Sequence, residues 1–91
     1  MKLVFRAHAL QRMFEREISV DDVQDVITNG EVVEDYPDDF PLASRLLLSF
    51  CKGRPIHVVV ATSASDEVSI IITVYEPDPT SWSEDFSKRN T

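Results

Sequence analysis

The chain has 91 residues, 16 of them acidic and nine basic, with a net charge of −7 and a pI near 4.6. That length holds one domain without a second core, and burial of roughly 60–65% of the unfolded surface implies modest stability. The single cysteine, Cys51, excludes an internal disulfide and a multi-cysteine zinc site.

Residues 2–5 alternate weakly and read as a short edge strand. From Ala7 to Arg16 the pattern is helical, with Leu10, Met13 and Phe14 as the expected apolar stripe. His8, Arg12 and Arg16 recur every fourth residue and share one helical face beside it. Ser19 with Asp22 reads as an N-cap with a capping-box acid, opening a second helix from Val20 to Asn29. Val20, Val23, Val26 and Ile27 should be buried, and Gly30 stands where a left-handed C-terminal residue is wanted.

After Gly30 the texture changes to strands. Glu31 to Tyr36 is followed by a proline-bracketed loop, Pro37 to Pro41. Arg45 to Phe50 comes next, closed by Cys51-Lys52-Gly53-Arg54, where Lys-Gly suits a tight hairpin. Ile56 to Thr62 and Val68 to Tyr75 are nearly continuously apolar and β-branched, as central strands covered on both faces would be. Glu76-Pro77-Asp78-Pro79 ends the sheet. Residues 1–79 therefore make one α+β domain in the order β-α-α-β-β-β-β: two N-terminal helices packed on an antiparallel sheet of four to five strands. Residues 80–91 are a polar C-terminal tail in which Trp82 and Phe86 can add a helical turn that lays an aromatic on the body.

The longest apolar run, Ile56 to Ala61 interrupted by His57, is too short to cross a bilayer, and Arg6 breaks the apolar N-terminus. A soluble, cytoplasmic protein without membrane contact is expected. No Gly-rich phosphate loop, Ser-His-Asp arrangement or CxxC motif is present, and the acid runs lack calcium-loop spacing, so neither a cofactor nor a metal is expected.

Both histidines lie in basic company, His8 with Arg12 and Arg16, His57 beside Lys52 and Arg54. In an acidic chain that segregation suits a phosphate or another anion. A hairpin closing around Ser65 would set His57 opposite Thr73, with Tyr75 on the same face and Arg45 or Ser49 beside them. A histidine, a tyrosine and arginines suit metal-independent phosphodiester cleavage: His57 or Tyr75 moves the proton of a 2′-hydroxyl while arginine stabilises the developing charge. The candidate catalytic residues are thus His57, Tyr75 and His8, with Arg12, Arg54, Lys52 and Arg45 as anion ligands. Each has a structural counterpart reading: a half-buried histidine donating to a loop, and arginines pairing with Glu15, Glu34 or Asp35 across the helix–sheet seam.

The string His8-Ala-Leu-Gln-Arg12-Met13-Phe-Glu15-Arg16-Glu-Ile18-Ser resembles the opening of a family of small bacterial proteins, the domain of unknown function DUF4258. The similarity continues through Asn29-Gly30-Glu31-Val-Val-Glu34, Tyr36-Pro37, Gly53-Arg54-Pro55-Ile-His57-Val-Val and Thr73-Val74-Tyr75-Glu76-Pro77-Asp78, ending at Trp82. The resemblance implies a distant relation to RelE/ParE-like toxins of type II toxin–antitoxin systems. It implies a role in RNA cleavage or at the ribosome, and a zinc-finger antitoxin-like protein as partner. Three functions stand as expectations: a toxin acting as an endoribonuclease on RNA, a non-catalytic interaction domain whose basic strip binds an acidic partner segment, or a small-molecule enzyme with an anionic substrate.

Overall fold

The computed structural model describes residues 2–90. Its elements are β1 (Lys2–Phe5), α1 (Ala7–Arg16), α2 (Val20–Asn29), β2 (Glu31–Tyr36), β3 (Ser44–Cys51), β4 (Arg54–Ser63) and β5 (Val68–Tyr75). The five strands form one mixed sheet in the order β1-β5-β4-β3-β2. β2 to β5 are an antiparallel meander, as the short turn-bearing connections between them require. β1 is the departure from an antiparallel sheet. It runs parallel to β5 from Lys2↔Val68 to Phe5↔Ile71. No hairpin ties β1 to a neighbour. Its direction is instead fixed where Arg6 N donates to Ile71 O at 3.1 Å and the chain turns into α1.

Helix α1 buries Ala9 and Met13, one i,i+4 row, against β5. The expected stripe is displaced: Leu10 is 49% exposed and Phe14 88%. A narrow row led by alanine lets the helix sit close to the sheet. Leu10 and Phe14 then fall on one flank, and the His8, Arg12, Arg16 row on the other. The helix ends with Glu17 in the left-handed region, φ 54°, and Ile18 N donating to Met13 O at 2.9 Å. This six-to-one bond is the Schellman closure, with buried Ile18 as its apolar contact.

Helix α2 starts with the expected capping box. Asp22 N donates to Ser19 Oγ at 3.0 Å, and Ser19 N to Asp22 Oδ2 at 3.1 Å. Val23 and Val26 are fully buried and Ile27 partly so, but Val20, in the first turn, is 52% exposed. Gly30 is extended, at φ −71°, rather than left-handed. Close approach demands glycine there: a Cβ would lie 2.3 Å from Val26 O and 2.9 Å from Leu48 O.

In the hairpin between β3 and β4, Lys52 (φ 55°) and Gly53 (φ 81°) both have positive φ, between the paired Cys51 and Arg54. That is the two-residue geometry whose twist matches the strands. In β5 a bulge at Ile72 changes the register: Val60 pairs with Ile71 but Val59 with Thr73.

Alternation sends Ile56, Val58, Val60, Ile71 and Val74 to the helical side, where they join Met13, Val23, Val26 and Cys51 in the core. The opposite face of the central strands carries His57 and Tyr75, beside Leu46 and Leu48 of β3. Residues 77–90 cover it. They form bends and an isolated Trp82↔Arg89 bridge rather than the expected helical turn, and Trp82 is only 4% exposed. Among the described residues no helix is long and apolar enough to cross a membrane.

Candidate functional site

His57 is the centre of the covered face. Its cross-strand neighbour is Tyr75, not Thr73, which pairs with Val59. The bulge at Ile72 and the hairpin's true centre shift the expected register by two residues, which preserves the face and brings the two rings together. His57 is fully buried. Its Nδ1 lies 3.2 Å from the Tyr75 hydroxyl and its Nε2 2.9 Å from the carbonyl oxygen of Phe86. A carbonyl can only accept, so Nε2 carries the proton. In the neutral ring Nδ1 then accepts from the Tyr75 O–H. Trp82 stands edge-on to the imidazole, with ring centroids 4.5 Å apart.

A charged group closes the arrangement. Arg89 Nε and Nη2 donate to the two carboxylate oxygens of Glu34 at 2.9 and 3.2 Å, and its guanidinium carbon lies 4.6 Å over the Trp82 ring. The Tyr36 hydroxyl donates to the same carboxylate. The bonds from Arg89 and Tyr36 hold the Glu34 carboxyl below its ordinary range. Burial pushes the His57 pKa below 6.5, outweighing the Phe86 carbonyl that favours the charged ring, and nearby Arg89 lowers it further. Burial pushes the Tyr75 hydroxyl up. The assembly is a neutral, fully bonded His–Tyr pair beneath a strap.

The other expected site residues lie elsewhere. Arg54 is on β4 with His57 but points to the helical side. Its Nη2 donates to Arg16 O at 2.7 Å and to Glu76 Oε2 at 3.1 Å, and its Nη1 to Glu17 O at 3.1 Å. It caps the carbonyl end of α1, where cations are favoured. Lys52 is exposed in the hairpin. Arg45 pairs with Asp35 at 3.0 Å and, with Asp35, Pro37 and Ala43, lines a shallow cleft of about 590 Å³. Leu48 is the β3 residue opposite His57, which sends Arg45 and Ser49 to the far face. His8, Arg12 and Arg16 all remain exposed on α1, and Arg12 pairs with Glu15 at 3.7 Å. Cys51 is buried beside Asp22 O and the Asp25 carboxylate, and burial keeps its thiol protonated.

A family model described as domain of unknown function (DUF4258) matches residues 5–76, most of the chain. The chain belongs to the DUF4258 family. The DUF4258 match includes His8, Arg12, Arg54, His57 and Tyr75 and ends before the strap. No curated protein and no solved structure matches the chain.

Sequence pattern does not mark Phe86 and Trp82, which touch His57, or the Arg89–Glu34–Tyr36 cluster beside them. Trp82 and Phe86 were legible only as aromatics in a polar tail. Nothing in the spacing of Glu34 and Arg89, 55 residues apart, links them.

Proposed function

We propose that this chain is a partner-binding module and that the exposed flanks of α1 are what its partner grips. The supporting observation is Phe14, 88% exposed on a helix whose other flank carries His8, Arg12 and Arg16. Leu10 extends the apolar flank one turn earlier. In a protein of net charge −7 this helix is a local reversal of sign. An acidic segment with an apolar side chain would complement both flanks, burying Phe14 and meeting the guanidinium row. The zinc-finger antitoxin-like protein implied by the family resemblance is the candidate to test first. The chain would be co-expressed with the product of the adjacent reading frame and the complex purified. Phe14→Ser and Arg12→Glu should each lower its recovery at least tenfold while the folded spectrum is kept. Undiminished recovery with both changes would overturn the reading.

A second reading rests on the His57–Tyr75 hydrogen bond: the toxin of a toxin–antitoxin pair, cleaving RNA without metal. There the 2′-oxygen attacks phosphorus as His57 Nδ1 takes its proton, the P–O5′ bond breaks to leave a 2′,3′-cyclic phosphate, and the Tyr75 O–H protonates the departing 5′-oxygen. His57 must first be uncovered by moving the segment that carries Arg89, and that arginine must then return onto the bound phosphate, since Arg54 and Lys52 belong to the other face and the hairpin tip. Purified chain on defined RNA, with and without ribosomes and in chelator, tests it. Cleavage lost in His57→Ala, by about 10²–10⁴, supports it. Equal cleavage by both proteins, or none by either, removes it.

A further inference from the structure

We infer that residues 82–89 form an acid-released strap: the neutral imidazole of His57 holds them on the sheet, and protonating that ring lifts them away. The strap is a unit of its own. Ser83 N donates to Lys88 O at 2.7 Å, and Asn90 N to Ser81 O at 3.0 Å, which closes the segment on itself. Asn90 Nδ2 adds bonds to Thr80 O and Trp82 O. These internal bonds survive when the segment leaves the sheet, so it moves as one body.

Four contacts hold it down. Phe86 O accepts from His57 Nε2, Trp82 packs edge-to-face with the imidazole, the Phe86 ring meets Phe50 of β3 at a centroid distance of 6.3 Å, and Arg89 pairs with Glu34. The Arg89–Glu34 pair is partly solvated, with side-chain exposures of 57% and 27%, and contributes modestly. The histidine is the sensitive element because it is fully buried. Every titratable or charged group facing it bears on its protonation. From β5, the Tyr75 hydroxyl donates to Nδ1, the atom that an added proton would occupy. From β2, the Glu34 carboxylate favours the cation but is already engaged by Arg89 and Tyr36. From the strap, Arg89 repels it. A protonated ring keeps its Nε2 bond to Phe86 O, but burial outweighs that bond, Nδ1 turns from Tyr75's acceptor into a donor, and a second cation is added beside a single carboxylate. Lifting the strap returns the ring to water, where it is charged without penalty.

Burial already pushes the His57 pKa down in the closed form, with the ordinary 6.5 as the open form's reference. The closed form then gains from neutrality above 6.5 and loses that gain as pH falls through the closed-form value. The helical-side core, built on Val23, Val26, Ile56, Val58, Ile71 and Val74, does not include the strap, so release need not unfold the sheet. What it uncovers is His57, Tyr75 and the Leu46–Leu48 row.

Trp82 is the only tryptophan and sits on the moving part. Acrylamide quenching of its emission would be followed from pH 8 to pH 5, with far-UV circular dichroism in parallel. The quenching constant should rise at least twofold below about pH 6.5, the ordinary histidine value, while the sheet signal stays constant. His57→Gln keeps an amide donor for Phe86 O and cannot titrate, so its quenching should be flat. If that variant fails to fold, amide exchange in wild type at pH 7 and pH 5.5 decides. Protection corrected for intrinsic rate should fall at 82–90 and persist in β4. Flat quenching in wild type, a rise retained in His57→Gln, or joint loss of quenching protection and sheet signal would overturn the proposal.

Discussion

Arg54 and His57 stand three residues apart on β4 and face opposite sides of the sheet. An odd spacing on a strand divides them, and each side chain serves a different layer. Arg54 ties the sheet to the end of α1; His57 ties it to the C-terminal strap. The basic and histidine-bearing hairpin is therefore a clamp on two layers, which explains why Gly53-Arg54-Pro55-Ile56-His57 carries so many polar groups beside a β-branched core strand.

Arg54→Ala should remove the cap of α1 without disturbing His57. Three carbonyl or carboxylate partners are lost, but the side chain is over a third exposed, so the expected destabilisation is about 1–1.5 kcal/mol. Urea unfolding measures that loss. Trp82 emission at pH 7.5 should match wild type, because its environment is on the other face. A shifted Trp82 spectrum would show that the two layers are coupled.

Core truncations should follow the observed faces rather than the helical stripe read from residues 7–16. Ile56→Ala, at a fully buried position, should destabilise by about 2–5 kcal/mol. Leu10→Ala, at a half-exposed one, should change stability by no more than about 0.5 kcal/mol. Comparable losses at both positions would place Leu10 in the core after all.

Gly30 offers a sharper distinction. If its need were a left-handed conformation, asparagine would be the best replacement. With φ at −71° and Val26 O 2.3 Å from any Cβ, Ala and Asn should be equally damaging, by about 1–3 kcal/mol, because backbone must move in either case. Thermal unfolding of both variants checks this, and a well-tolerated Gly30→Asn would contradict the close approach.

The element order and most boundaries are legible from periodicity alone. β1, α1, α2, β2 and β5 fall at the residues read from the pattern, and β3 and β4 extend one or two residues further at their ends. Local chemistry carried this success: Ser19 and Asp22 mark a helix start, and Lys52-Gly53 marks a hairpin, without any tertiary information. What failed was tertiary in origin. The direction of β1 depends on how β5 meets it 66 residues later. The face of α1 depends on the clearance that Ala9 allows. The His57–Tyr75 pairing emerges from a bulge at Ile72, inside a run of three isoleucines whose pattern marks no extra residue. The strap escaped because its anchors, Trp82 and Arg89, are polar-tail residues until the sheet face beneath them is known.

Global stability should fall with acid in stages, and the sign follows from the directions of the shifts. The His57 pKa is lowered by folding, so its contribution is complete above 6.5 and declines as pH falls from there through the folded value. Glu34 is lowered from 4.5 by its bonds to Arg89 and Tyr36, so its contribution is complete above 4.5 and declines below. Asp85, held at about 2 by the hydroxyls of Ser87 and Ser83, and Asp78, lowered by Thr80, act further down, below 3.8. Urea midpoints should therefore be level above pH 6.5, begin to drop below 6.5 as the imidazole charges, and drop further below 4.5 as the carboxylates follow. His57→Gln should flatten the first drop and leave the second. Glu34→Gln should flatten the upper part of the second and enlarge the first, because the carboxylate that favours the charged imidazole is gone. Arg89→Ala acts on both: it removes Glu34's main partner, which shrinks the second drop. It also removes the cation repelling His57⁺, which brings the folded imidazole's pKa back toward 6.5 and shrinks the first. A wild-type profile level from pH 7.5 to pH 5 would show that the buried imidazole is uncoupled from folding.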